Sequence, residues 1–153
     1  MTWERLLVGL ITSGIATAGF SMLLRLNPKR IPAATIGGML TNLIFDTVSL
    51  TTTNLLLSAL LAALFMTLYS EIGAKLLRAP AILLIVPCCI PIVPGSYLYY
   101  TGYSLLSRQT DQLWFYAKGT LQICLGIAVG MGVASMLMSL YFFFLRKGKK
   151  KRA

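Results

Sequence analysis

Apolar residues in this chain come in long blocks and do not alternate with polar ones. The blocks cover residues of about 6–24, 31–50, 55–70, 80–101 and 114–145. They reach or approach the ~20 residues a helix needs to cross ~30 Å of hydrocarbon. In lipid every backbone N–H and C=O must pair within its own segment, so the blocks are predicted to be helices and not strands. The expected fold is an all-α membrane protein with about five transmembrane helices. One integral membrane domain fills residues 1–145, and a cytoplasmic polybasic tail follows over 146–153. The last block is too long for a single untilted crossing, and its turns around Lys118 are expected to tilt or protrude.

The connections are short. Arg25-Leu26-Asn27-Pro28-Lys29-Arg30 joins the first two blocks, Thr51-Thr52-Thr53-Asn54 is an uncharged turn, and Glu71 to Ala79 carries Lys75 and Arg78. Only the fourth block is interrupted from within, by Val86-Pro87-Cys88-Cys89-Ile90-Pro91-Ile92-Val93-Pro94-Gly95. Each proline removes a backbone donor and clashes with the preceding turn, at about 3 kcal/mol in a helix interior. This span is therefore predicted to be two half-helices meeting near the midplane. Irregular backbone at that depth survives only beside protein or a polar cavity.

Composition agrees with the blocks: 57% of residues are hydrophobic, 12% are charged and none is histidine. A soluble domain carries roughly twice that charged fraction. The net charge of +10 would suit nucleic acid, but six of the fourteen basic residues lie in the last eight positions and the rest mostly flank apolar blocks. That placement is a topology signal. Five crossings put Arg25, Lys29, Arg30, Lys75, Arg78 and the tail on one side and Arg5, Arg108 and Lys118 on the other, eleven against three. A multi-pass protein of the inner or plasma membrane follows, N-terminus outside and tail in the cytoplasm. A re-entrant fourth block would strand the tail opposite the other basic loops. Cleavage of a signal peptide after Ala16-Thr17-Ala18 would put Arg25, Lys29 and Arg30 outside, against the same rule. Attraction to anionic lipid accompanies this charge pattern, and nucleic-acid binding is not expected.

Cys88, Cys89 and Cys124 all fall in apolar blocks and read as packing residues. Without histidine and with few carboxylates, no metal-ligand set can be assembled. No cofactor is expected, and no nucleophile–base pair or nucleotide-binding loop points to an enzyme. The candidate chemistry is binding. A half-helix starting near Ser96 presents unpaired N–H groups and a positive dipole end that suit a carboxylate. Broken helices of transporters use this arrangement. Pro91, Pro94, Gly95, Ser96, Tyr97 and Tyr99 are thus candidate substrate-path residues, with Ser96 as helix cap or ligand contact. A proline-kinked packing helix with an outer tyrosine belt is the competing reading.

Thr35, Gly38, Asn42, Asp46 and Ser49 share one face of the second block. Asp46 is the one acid within a span, which makes it either a proton- or substrate-handling group or a solvated helix end. Asn42 lies one turn deeper. Gly9-x3-Ser13-x3-Thr17 and Gly126-x3-Gly130 are small-residue stripes that suit close helix packing, and Gln122 is a weak addition to a polar path.

With these residues in view, the chain resembles the threonine/serine exporter family, in the small-subunit form similar to the C-terminal membrane half of the single-chain exporters. Gly19-Phe20 leading into Asn27-Pro28-Lys29-Arg30 carries the resemblance, together with Pro87-x3-Pro91-x2-Pro94-Gly95 and Tyr99. Cys88 stands where the family commonly has glycine, and the aromatic usual after the second-span glycines is absent after Gly37-Gly38. The resemblance implies a secondary exporter of threonine and serine, or of small dicarboxylates such as succinate. It also implies a larger companion membrane subunit of the same family. Five spans with few polar residues also look sparse for a complete path. The competing class is a non-transporting membrane scaffold or assembly subunit, and a homo-oligomer stays open beside either.

Overall fold

The computed structural model describes residues 2–150, the side chains of Thr2, Arg5 and 144–150 excepted. The polybasic tail and Arg5 of the charge count therefore lie outside the described side chains. The helices are α1 (Thr2–Leu23), α2 (Ile31–Thr52), α3 (Leu55–Leu76), α4 (Ile82–Cys89), α5 (Gly95–Leu106) and α6 (Thr110–Lys150), with a 3-10 turn (Ile90–Ile92) between α4 and α5. Four of them are long and apolar enough to cross a membrane, and the α4–α5 pair, bent by 53°, makes a fifth candidate span.

Helix ends follow local chemistry. Asn54 opens α3 by accepting the Leu56 N–H on its side-chain oxygen. Arg25, Arg78 and Arg108 close α1, α3 and α5 with φ of 53°, 48° and 54°. Each sits one residue before a 6→1 hydrogen bond: Leu26 N to Ser21 O, Ala79 N to Ala74 O, and Gln109 N to Ser104 O. Glycine would take this left-handed slot without strain. Arginine there sets a cation against the negative end of the helix dipole. α3 runs six residues past the expected end at Ser70, because buried Ala74 continues its packed face and Gly73 is tolerated inside the helix against Leu84.

α3 is the central helix, packed against α2, α4 and α6, while α1 lies on α2 and the 3-10 turn. The α3–α6 seam is built on glycine. A Cβ on Gly126 would lie 2.6 Å from Leu56 O, and one on Gly130 would lie 2.5 Å from Leu60 O. Between α1 and α2, Thr17 fills the space over Gly38 and Met39 the space over Gly14. The buried hydroxyls on these seams are satisfied within their own helices: Thr17 donates to Ser13 O, Ser21 to Thr17 O and Thr41 to Gly37 O, each at 2.7 Å. Both small-residue stripes are thus packing surfaces inside the chain.

A core of Ala62, Ala63, Met66, Cys88 and Ile92 joins α3 to α4 and the 3-10 turn. Cys88 Sγ donates to Ala34 O at 3.3 Å and Tyr69 Oη to Ala33 O at 2.8 Å. Both side chains occupy the space a side chain at Gly37 would need, 2.5 Å from the tyrosine ring and 2.7 Å from the thiol.

The bundle has an arginine end and a threonine end. Leu84 of α4 packs with Leu26, Ala34 and Ala74 at the arginine end. Tyr97 of α5 lies against Gly119, whose neighbourhood includes Leu55 at the threonine end. Leu55 and Ala74 are separated by about 28 Å along α3. The bent pair therefore carries the chain from one end of the bundle to the other instead of turning back. α5 packs along the first turns of α6 as a hairpin.

Candidate functional site

Proline spacing writes the break. In a regular helix the N–H of residue 91 would bond to the carbonyl of 87, but Pro91 has none. Instead the Ile90 N–H reaches Pro87 O, which tightens the chain into the 3-10 turn. Pro94 likewise cannot bond to Ile90 O, and the Val93 N–H does so at 3.3 Å. Val93 then turns extended (φ −63°, ψ 128°) and Pro94 (φ −77°, ψ 56°) precedes the first turn of α5. Pro87 itself is accommodated inside α4 and buried.

Ser96 does not cap α5. The cap position belongs to Pro94, no side-chain cap bond forms, and Ser96 is the second helical residue, exposed. Gly95 has no positive φ and no atom within 4 Å of where its Cβ would sit, so neither strain nor crowding demands glycine there. Tyr97 is half-buried, in edge contact with Tyr116 at 6.0 Å, whereas Tyr99 is 68% exposed and packs edge-on to Tyr100.

Asn42 and Asp46 form a pair: the Asn42 amide donates to Asp46 Oδ2 at 2.9 Å. Gly9 of α1 faces them, and a Cβ there would stand 2.8 Å from Asp46 Oδ2. Asp46 opens into a cavity of about 270 Å³ shared with Leu6, Ser49 and Leu50.

Beside this cavity lies a cleft of about 440 Å³ at the threonine end, within the size range of small-ligand sites. Its polar lining is Ser49 and Thr53 from α2 and its turn, Tyr97 from α5, and Lys118 and Gln122 from α6; Leu55, Phe115 and Gly119 supply the apolar wall. A Cβ on Gly119 would meet the Tyr97 ring at 2.5 Å, so the glycine lets that ring lie flat against α6. Ser49 walls both cavities. Of the candidate residues, the structure brings Tyr97 to the cleft and Asp46 to the adjoining cavity, with Asn42 behind it as its hydrogen-bond partner. It leaves Pro91, Pro94, Gly95 and Ser96 at the break and Tyr99 on the outer surface. Sequence reasoning used Lys118 for topology alone. A lysine four residues into an apolar block was the available signal.

Among the described residues no cluster of His, Cys, Asp and Glu could hold a metal ion. An open polar cleft of this size, walled by a residue one turn beyond a helix break, can bind a small solute.

A family model described as Threonine/Serine exporter, ThrE, matches residues 9–137, from α1 through most of α6 and across the break and the cleft. No curated protein and no solved structure matches the chain.

Proposed function

The chain belongs to the threonine/serine exporter family, and from that premise we propose that it is one subunit of a secondary exporter of small carboxylate-bearing metabolites. Membership in an exporter family and the set of apolar helices make it a multi-pass membrane protein of transporter type. Threonine/serine-type amino acids are the substrates of this reading, with dicarboxylates such as succinate second.

The carrying observation is the proline-written break in the α4–α5 segment, in a bundle whose threonine end opens into a polar cleft. A continuous helix would satisfy every backbone group, and keeping it open at a cost of several kcal/mol calls for a compensating role. Broken helices beside polar cavities are the sites at which transporters hold anionic solutes. A larger companion subunit completes the path in this proposal. α5 packs on α6 and on no other helix to comparable extent, so this chain leaves one flank of the cleft unwalled.

Export assays test the reading. Cells lacking endogenous threonine/serine export are to receive this chain alone, the companion alone, or both. Efflux of labelled threonine or serine is expected only with both, and a membrane scaffold would change nothing. Robust export by this chain alone would end the subunit proposal. Reporter fusions check orientation: Thr53 should report the exterior and Ala153 the cytoplasm.

A further inference from the structure

Opposite charges line the two cavities that Ser49 walls. Lys118 lines the cleft with it, and Asp46, one turn earlier on α2, lines the smaller cavity that Ser49 also walls. Among the described residues Lys118 makes no ion pair, and Asp46 has the Asn42 amide as its hydrogen-bond partner. Ionised side chains within spans are costly, and they persist where they pair or face a polar cavity. These two share a wall and do not pair with each other. A ligand carrying both charges would satisfy both at once.

We propose that Lys118 and Asp46 are the charge-recognising residues of a zwitterion site centred on Ser49. Lys118 takes the α-carboxylate of an amino acid, and Asp46 takes its α-ammonium. This rests on the exporter reading and deepens it by assigning the two poles of the substrate to two residues. The chemistry fits each end. The lysine ammonium offers three donors to a carboxylate. Asp46 Oδ2 is engaged by Asn42, and the second carboxylate oxygen keeps lone pairs for a substrate N–H. Ser49, which walls both cavities, carries a hydroxyl that can donate or accept. A neutral zwitterion also leaves the filled site uncharged overall, which lowers the cost of closing it away from water. A dicarboxylate would set its second carboxylate against Asp46, and like charges at close range oppose each other.

The test uses the full chain with its companion in proteoliposomes. Uptake of labelled threonine is competed by threonine, by threonine amide, which lacks the carboxylate, and by 3-hydroxybutyrate, which lacks the ammonium. In the wild type both analogues should compete about 10- to 100-fold more weakly than threonine, the range for a lost hydrogen bond to a charged group. Lys118→Gln should weaken threonine by a similar factor and erase the gap between threonine and its amide, while 3-hydroxybutyrate stays poor. Asp46→Asn should do the reverse, erasing the gap to 3-hydroxybutyrate. Lys118→Arg should recover most affinity. Lys75→Gln, at the arginine end against the Phe142 ring, should leave the ranking unchanged.

If both variants rank the competitors as the wild type does, the assignment is overturned and Lys118 serves only to reach the headgroups. If a variant does not fold, the wild-type ranking still decides: an amide that competes as well as threonine overturns the carboxylate pole. A wild-type complex that moves no carboxylate solute sinks the exporter reading and this site with it. Transport intact with unaltered variants sinks the site alone.

Discussion

One helix, α6, makes two opposite kinds of contact within a few turns. From Gly126 to Ala134 it closes on α3 so tightly that glycine hydrogens face backbone carbonyls. From Phe115 to Gln122 it stands off from α2 and holds a cleft of about 440 Å³. Composition separates these regions only in part: residues 126–134 carry no polar side chain, while 115–122 include Lys118, Thr120 and Gln122. What separates them is what faces each glycine. Gly126 and Gly130 meet the α3 backbone and Ala59 and Ala63, whereas Gly119 meets the Tyr97 ring, and beside that ring Lys118 and Gln122 keep polar atoms at the wall. In lipid there is no hydrophobic drive between helices, so close van der Waals contact must hold them together. The seam supplies that contact, and the cleft relies on the seam to stay open in one shape.

Breaking the seam should have the largest effect. Gly126→Leu and Gly130→Leu would each push a side chain into the α3 backbone, at about 1–3 kcal/mol for overpacking a tight contact. The double variant is expected to lose several degrees of melting temperature in detergent, to fall in membrane abundance and to export nothing. Gly132, two residues on, has no atom within 4 Å of a Cβ. Gly132→Ala should therefore match or exceed wild-type stability, since alanine is the better helix former by about 1 kcal/mol. Equal melting temperatures for the double variant and Gly132→Ala would show that the seam does not organise the bundle.

The next effect separates the break from the seam. Pro91→Ala with Pro94→Ala restores two backbone donors and removes about 3 kcal/mol per proline of opposition to a continuous helix. The variant should insert and melt as the wild type does, yet export should fall roughly tenfold or more, because the path would shift by more than the ~1 Å that positioning tolerates. Gly95→Ala alone should cost much less, given the open space and ordinary φ at Gly95. Wild-type export in the double proline variant would reduce the break to a packing feature.

The fold was largely legible in the sequence because its signals are local. Block length sets the spans, and the Pro87-x3-Pro91-x2-Pro94 register states which carbonyls lose their partners. The same locality misled at two points. Glu71 and Lys75 read as a loop, although Ala74 between them is buried in a continuing helix. Ser96 reads as a helix cap or a ligand contact, and the first of these fails because Pro94 occupies the cap position. The cleft was not legible, since Ser49, Tyr97 and Lys118 come from three helices and only tertiary packing brings them together. Asn42 and Asp46 lay in between: their four-residue spacing announced a shared face, while Gly9 across from them belongs to another helix.

The smallest effect sharpens the comparison at the junction of break and cleft. Ser96 is exposed, caps nothing, and has no hydroxyl contact among the described residues, although Tyr97, the next residue, lines the cleft. Ser96 is not part of the cleft lining that holds Lys118, the backbone donors at the start of α5 survive Ser96→Ala, and the helix gains slightly from alanine. Export and threonine affinity should then stay within about twofold of wild type, the few tenths of a kcal/mol typical of surface changes away from special features. A tenfold loss of affinity at unchanged stability would mean that the Ser96 hydroxyl contacts the substrate. The binding site would then extend from the cleft past Tyr97 to the break itself, and the separation between an open cleft and a structural break would no longer hold.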